Sequence, residues 1–354
     1  HNPAEYHGLK FSTGDGAPAL PEVTAAIEAF LQEVKKVEMM DLEEAEQKKL
    51  YSTISVKENY FATLREIVDF EAIRKAQLKI GYDPLYGVGM GYLDQLLKEE
   101  GIEVMMLHDW RDPFFGGKSP EPDVEQLAEL KELVLNNSLN IGISNDGDAD
   151  RFGILDEKGR YLSSNQVLVL LALHLIKHKK KSGSIVRTLA TTHLLDKIAA
   201  AFEREPYEVP VGFKYIGELI LKREIVIGGE ESGGLSIGGH IPEKDGILAC
   251  LLCLELLAYE QKPISQILAE IYQTYGYFYN DRIGVQLTPE FKETIRDILA
   301  HEHPKTLMKQ KIEKFDTRDG LKMTLANGNW LLIRFSGTEP KARVYAEAGS
   351  ETEM

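Results

Sequence analysis

From Pro21 the apolar residues Val23, Ile27, Phe30, Leu31 and Val34 recur at helical spacing, with proline in the first turn where its missing N–H is harmless. Residues 35–55 are charged and weakly periodic, a connector with one more helix around Leu42–Leu50. A different rhythm begins near Ser55. Tyr60, Leu64, Ile67 and Val68 mark a helix, and Leu78–Tyr82 reads as a strand. Gly87-Val-Gly89-Met-Gly91 opens a helix running to Glu100, followed by a strand at Ile102–Leu107 and a helix over about Asp123–Asn136. The apolar run Leu139–Ser144 is then a buried strand.

The alternation resumes after Tyr161. Helix 164–178, strand 184–188, helix 193–203, a short strand near Tyr207, helix 214–222 and strand 224–228 follow in turn. A long loop, Gly228–Gly246, leads to helices at 246–260 and about 263–274. From Tyr277 strand-like segments dominate: Phe278–Gln286, Lys311–Asp316, Lys322–Ala326, Trp330–Phe335 and Ala342–Ala346, with a helix near Pro289–Leu299. Strands alternating with helices predict parallel or mixed α/β sheets, whereas the terminal segments predict an α+β unit with an antiparallel sheet. The units are 55–160, 161–275 and 276–354, preceded by 1–54. The two α/β units share no residue-level repeat but have similar orders of elements.

Composition narrows the function classes. The net charge of −15 argues against a nucleic-acid binder, and no apolar run approaches the ~20 residues of a membrane span. The basic run Lys177–Lys181 is read as the solvated end of a helix. Cys250 and Cys253 sit inside the apolar stretch Ile247–Leu257, which predicts two buried thiols, not a redox or zinc pair. A reducing, cytoplasmic compartment is expected. Oligomeric state is not legible.

Candidate chemistry begins where Leu139–Ser144 ends. Asn145-Asp146-Gly147-Asp148-Ala149-Asp150-Arg151 places three carboxylates at alternate positions on a turn. Their repulsion calls for a cation, and hard oxygen ligands suit Mg²⁺ or Ca²⁺. Arg151 adds a permanent positive charge beside it, making a place for a phosphate. An EF-hand would use Asp146, Asp148, Asp150 and Glu157, but Arg151 stands where that loop needs glycine. A haloacid-dehalogenase-like phosphatase would carry its aspartate nucleophile at its first core strand, not in mid-chain. The Gly87–Gly91 triplet lacks the dinucleotide spacing and is read as close strand-to-helix packing.

Further along, Arg334, Ser336, Gly337, Thr338 and Arg343 offer two guanidinium forks, two hydroxyls and free backbone N–H groups, an inventory suited to a dianionic phosphate. Glu230 and Ser232, on the Gly-rich run Gly229–Gly233, can hydrogen-bond vicinal sugar hydroxyls. His240 and Lys244 are candidates for proton transfer or phosphate orientation, and Lys10 for stabilising or deprotonating a hydroxyl.

Four of these loops, in order, resemble the α-D-phosphohexomutases, the phosphoglucomutase and phosphomannomutase family. His1-Asn2-Pro3 with Gly8 and Lys10 is similar to the stretch after that family's catalytic serine. Asp146–Arg151 is similar to its metal loop, Gly229–Gly233 to its sugar loop, and Arg334–Pro340 with Arg343 to its phosphate loop. The resemblance implies a phosphoserine enzyme that interconverts hexose 1-phosphate and hexose 6-phosphate through a bound hexose 1,6-bisphosphate, with Mg²⁺ as cofactor. Glucose is the implied preference and mannose a second option. By resemblance Asp146, Asp148 and Asp150 hold Mg²⁺, and Arg151 steadies the transferring phosphate. Glu230 and Ser232 hold the sugar, and the Arg334–Arg343 loop grips the other phosphate. His1, Lys10, His240 and Lys244 lie where proton transfer is assisted, and Gly212, Phe213 and Lys214 form a further substrate loop. Val211 departs from the Thr of several glucose-type members. The family's serine would directly precede His1, so residues 1–54 would be the C-terminal part of a first domain. Without that serine, the alternative is a phosphosugar-binding protein that does not turn over.

Overall fold

A computed structural model describes residues 8–288, 290–291, 293–294, 304–335 and 341–354. The first part carries α1 (Pro21–Leu31) and α2 (Leu42–Gln47). The apolar stripe of α1 exists but covers nothing among the described residues: Phe30 is 67% and Leu31 62% exposed.

The first α/β unit opens with α3 (Lys57–Ile67) and α4 (Phe70–Ala76). It continues through β1 (Ile80–Asp83), α5 (Leu93–Glu99), β2 (Val104–Met106), α6 (Ala128–Asn137) and β3 (Ile141–Asn145). It then turns back through β4 (Phe152–Leu155) and β5 (Tyr161–Leu162). Sheet order is β2-β1-β3-β4-β5, with β1 parallel to β2 and β3, and β4 antiparallel to β3. The second unit runs α7 (Ser164–Lys177), β6 (Ser184–Thr188), α8 (Leu194–Ala201), β7 (Pro206–Val209), α9 (Phe213–Lys222), β8 (Ile225–Gly229) and β9 (Leu235–Ile237). Its order, β7-β6-β8-β9, repeats the first four strands of its neighbour in direction and connection. The return strands β4, β5 and β9 were not expected from the sequence. They are two to four residues long and too short to show a period.

Helices α10 (Gly246–Glu260) and α11 (Ile264–Tyr275) complete this part. α7 and α10 are apolar all round and buried, as that pattern demands. α10 packs on α4, α7, β3, β4 and β9, so one apolar cluster fills both α/β units. Both cysteines are buried within it. Burial pushes the Cys250 thiol well above its usual range and Cys253 up to about 12, so neither offers a thiolate.

The chain ends in a six-stranded antiparallel sheet. It comprises β10 (Tyr279–Gln286), β11 (Thr306–Leu307), β12 (Gln310–Asp316), β13 (Leu321–Leu325), β14 (Trp330–Phe335) and β15 (Lys341–Ala348), in the order β10-β15-β14-β13-β12-β11. The helix expected near Pro289–Leu299 lies largely outside the described residues. A polar network, buried at Arg187 and Lys322, joins this sheet to the second α/β unit. Glu208 accepts from Arg187 at 2.6 Å, Lys322 at 3.0 Å and Arg318 at 2.5 Å. Burial works against the charge on Glu208, but His193, Arg187 and Lys322 outweigh it and hold the carboxyl below its usual range. Burial lowers Lys322 to about 8.

Two readings of local sequence need correction. The basic run after α7 is not wholly solvated, because Lys179 reaches back to the Ile67 carbonyl and the buried Glu255, both at 2.6 Å. Gly87 packs against the Asp146–Arg151 loop, not a helix: a Cβ there would lie 2.8 Å from Gly147 O. The neighbouring Val88 N–H donates to that same oxygen at 3.1 Å.

Candidate active site

The loop after β3 is closed by its own flanks. Asn145, fully buried, accepts from the Tyr82 hydroxyl at 3.1 Å and donates through Nδ2 to Arg151 O at 2.8 Å. The Arg151 N–H donates to Asp146 Oδ1 at 2.9 Å. The loop also rests on the start of α10, where Gly246 N–H donates to Ala149 O at 3.1 Å.

This closure gathers one oxygen each of Asp146, Asp148 and Asp150 within 4.8 Å of one another, the one such cluster among the described residues. Asp146 is completely buried, and its Oδ2 has no hydrogen-bond partner. Burial, then Asp150 and Asp148, pushes the Asp146 carboxyl up to about 7. A buried carboxylate oxygen left unpaired beside two like charges is costly unless a cation meets it. The donor set therefore fits a hard divalent ion. Glu157, the ligand an EF-hand would need, bonds Ser265 Oγ instead.

Two ammonium groups already lean on the cluster. Lys10 Nζ lies 3.1 Å from Asp148 Oδ2 and 3.5 Å from Asp150 Oδ2. Burial disfavours its charge, but the two aspartates outweigh this and raise its pKa. Lys244 Nζ donates to Asp150 from the loop between β9 and α10 of the second α/β unit. Arg151 Nη1 pairs with Glu121 at 3.0 Å, while its buried Nε makes no hydrogen bond and lies 3.8 Å from Asp150 Oδ1.

The loop after β8 presents Glu230, Glu231 and Ser232. Glu230 is buried, and its Oε1 accepts the Gly212 N–H at 2.9 Å. Burial, then the neighbouring Glu231, pushes Glu230 up to about 7. Burial likewise raises Glu231, opposed by Arg282, Arg334 and Arg343. Asp319 Oδ2 accepts both Val211 N–H at 3.0 Å and Arg334 Nε at 2.7 Å, tying the 211–214 turn to the terminal sheet. Lys214 Nζ lies over the Tyr215 ring at 5.2 Å. Arg343 stands opposite Arg334 in the ladder.

The structure thus brings together Lys10, Asp146, Asp148, Asp150, Arg151 and Lys244 in one contact network, with Gly212 and Glu230 in a second. His240 takes a different place. Its Nε2 bonds Asp245 at 2.8 Å, and Asp245 accepts the Tyr60 hydroxyl and caps α10 through the Leu248 N–H. His1, Ser336, Gly337 and Thr338 lie outside the described residues. Sequence reasoning missed Glu121, Asp245, Arg282 and Asp319. No local motif marks them, since each acquires its partner only in the folded chain.

Fold and site together define a class: a duplicated α/β core with an acidic turn after one central strand, a Glu-Ser turn after the other, and an antiparallel sheet beside them. Known proteins place it further. Profiles described as "Phosphoglucomutase/phosphomannomutase, alpha/beta/alpha domain II", "alpha/beta/alpha domain III" and "C-terminal domain" match residues 58–159, 163–275 and 287–354. A phosphoglucomutase/phosphomannomutase of Thermococcus kodakarensis is 30% identical over 353 residues, covering 99% of this chain and 74% of the relative. A phosphopentomutase of the same organism is also 30% identical, over 355 residues, with the same coverage of both chains. A crystal structure from Thermus thermophilus, provisionally described as a phosphomannomutase, superposes with a TM-score of 0.83 at 31% identity, covering all of this chain and 74% of that one. This chain belongs to the phosphoglucomutase/phosphomannomutase family. Equal identity to a hexose and a pentose mutase leaves the sugar to be argued from the site.

Proposed function

We propose that this chain carries the metal, sugar and phosphate loops of a phosphohexomutase that interconverts hexose 1-phosphate and hexose 6-phosphate, preferring glucose and accepting mannose. The carrying observation is the bond from Lys244 to Asp150, 94 residues apart, which joins the region after the sugar loop to the metal loop. In this reading Asp146, Asp148 and Asp150 hold Mg²⁺, whose chemistry is charge stabilisation on phosphoryl oxygens. Arg151, held by Glu121, faces the transferring phosphate. Lys10 and Lys244 sit within reach of the same oxygens as proton-transfer groups. Glu230 and Ser232 hold sugar hydroxyls, with Gly212 and Lys214 alongside. Arg334, Ser336, Gly337, Thr338 and Arg343 hold the phosphate that is not reacting. A serine directly before His1 would carry the phosphoryl group, with residues 1–54 as part of its domain and a bisphosphorylated sugar as intermediate.

The test is a coupled assay of glucose 1-phosphate conversion with Mg²⁺, run beside calorimetry with glucose 6-phosphate. Mutase turnover without phosphate release is expected from protein carrying that serine. Saturable binding without turnover in such protein would leave the non-catalytic phosphosugar-binding reading, and release of free phosphate would replace it with a phosphatase.

A further inference from the structure

Arg282 belongs to none of the loops described so far. It lies on β10, the edge strand of the terminal sheet, opposite Tyr345, while Gly284 two residues on is opposite Arg343. Arg343 is in turn opposite Arg334 on β14. Directly opposed residues share a face, as do residues two apart on one strand. Arg282, Arg334 and Arg343 therefore project from the same face of the sheet. Tyr345, on that face, packs with Leu189 and Ala190 of the second α/β unit, and all three arginines act on the Glu231 carboxyl of the sugar loop, so that face looks toward the site.

The three arginines are not equally engaged. Arg334 is held by Asp319 at 2.7 Å. The Arg282 guanidinium is exposed and has no carboxylate partner among the described residues. It lines a cavity of about 90 Å³ whose other walls include Arg151, Ser232, Glu121 and Glu231. That is several times the space a single water needs, so the cavity can admit a polar ligand group. Its three carboxylates do not exclude an anion: Glu121 is paired with Arg151, Asp123 accepts the Glu125 and Gln126 N–H groups, and burial favours the neutral form of Glu231.

We propose that Arg282 is a further anion-holding side chain of this site. It grips the second phosphate of a bisphosphorylated sugar as that sugar passes between the Arg151 end and the Arg334–Arg343 end. The inference rests on the phosphohexomutase reading. A sugar phosphorylated at both ends can exchange them only by turning, and while it turns neither phosphate lies fully in either terminal position. A guanidinium fork facing the intervening cavity holds the ligand through that passage and opposes its escape.

Calorimetry with glucose 1,6-bisphosphate and glucose 6-phosphate, in Mg²⁺ buffer, tests this on the wild-type chain and on Arg282→Ala and Arg282→Lys. Arg282→Ala should weaken the bisphosphate about tenfold, the lower end for a lost charge-assisted hydrogen bond, and the monophosphate by less than about threefold. Arg282→Lys should recover part of the bisphosphate affinity, and melting temperatures should stay together because the residue is exposed. Equal losses for both ligands, or no loss for either, would overturn the assignment. Failure of the wild-type chain to bind either sugar would instead remove the phosphohexomutase reading, and the assignment with it.

Discussion

Asp146 and Glu230 occupy the same place in the two α/β units. Each is the first residue after the third strand of its unit, at the head of a turn that returns as an antiparallel strand. Each is buried, and each carboxyl is pushed up to about 7, burial first. The difference lies in what surrounds them. Asp146 faces two further carboxylates and leaves its buried Oδ2 unpaired, whereas Glu230 faces one, Glu231, and accepts the Gly212 N–H through Oε1. One scaffold therefore carries two electrostatic arrangements: a turn whose crowded carboxylates favour a cation, and a turn whose first carboxyl already accepts a backbone N–H. The strand order supplies the position, and the next four residues supply the use.

The widest separation between the turns should appear in Asp148→Ala. Losing a direct ligand is expected to cost more than the about 10–100-fold typical of an outer-shell partner, so Mg²⁺ titration should show binding weakened beyond about a hundredfold. Glu230→Gln should leave that affinity unchanged. Equal Mg²⁺ losses in both variants would break the comparison.

Gly246→Ala addresses the support beneath the first turn. A Cβ there would lie 2.0 Å from Arg151 O and 2.7 Å from Asn145 Nδ2, a backbone atom and a buried side chain. A loss of about 1–3 kcal/mol is expected in denaturant melts, together with weaker Mg²⁺ binding, because the loop must shift. Wild-type values on both counts would mean that the acidic turn does not depend on this contact.

Smaller, near tenfold, is the expected loss of glucose 6-phosphate affinity in Glu230→Gln. This residue also sets a pH signature. Its folded-state value of about 7 lies above the ordinary 4.5, so the stability it contributes is fully present below 4.5 and is lost as the pH rises through 7. Thermal melts between those limits should be flatter for the glutamine variant than for wild type. Parallel curves would show that Glu230 is not the group responsible.

The mildest change should come from Glu121→Gln. It keeps a hydrogen-bond acceptor for Arg151 and removes only the charge, so a few-fold fall in turnover is expected in the coupled assay, with Mg²⁺ affinity preserved. A collapse to the level of Asp148→Ala would place Glu121 among the groups that hold the cation.

Much of this was legible before any coordinates. The acidic turn showed itself because its three carboxylates fall within five residues and follow a strand built on Leu139, Ile141 and Ile143. The Glu230 turn was legible only beside its partners, since Glu-Glu-Ser-Gly alone is a common polar turn. What stayed hidden depends on contacts between distant segments. Asp319 meets Val211 across 108 residues and Tyr60 meets Asp245 across 185, distances over which no spacing rule operates. His240 shows what position alone leaves out: a histidine near a site suggests proton transfer, and the fold adds that its ring is bonded to Asp245, the cap of α10. The exposed stripe of α1 is a third case, because periodicity reports which face is apolar and not what covers it.

The single apolar cluster that runs from Phe61 through α7 and α10 to Ile271 has a thermodynamic consequence. The strands that end in the acidic turn and the Glu230 turn share this cluster, so they are expected to open as one cooperative unit. The terminal sheet has a cluster of its own around Ile312, Leu321, Met323 and Leu325. Its apolar contact with the rest is a smaller set, Leu189 and Ala190 against Trp330, Leu332 and Tyr345, beside the polar network at Glu208. Hydrogen exchange should therefore report two opening free energies, one shared by both turns and a lower one for the strands that carry the arginines.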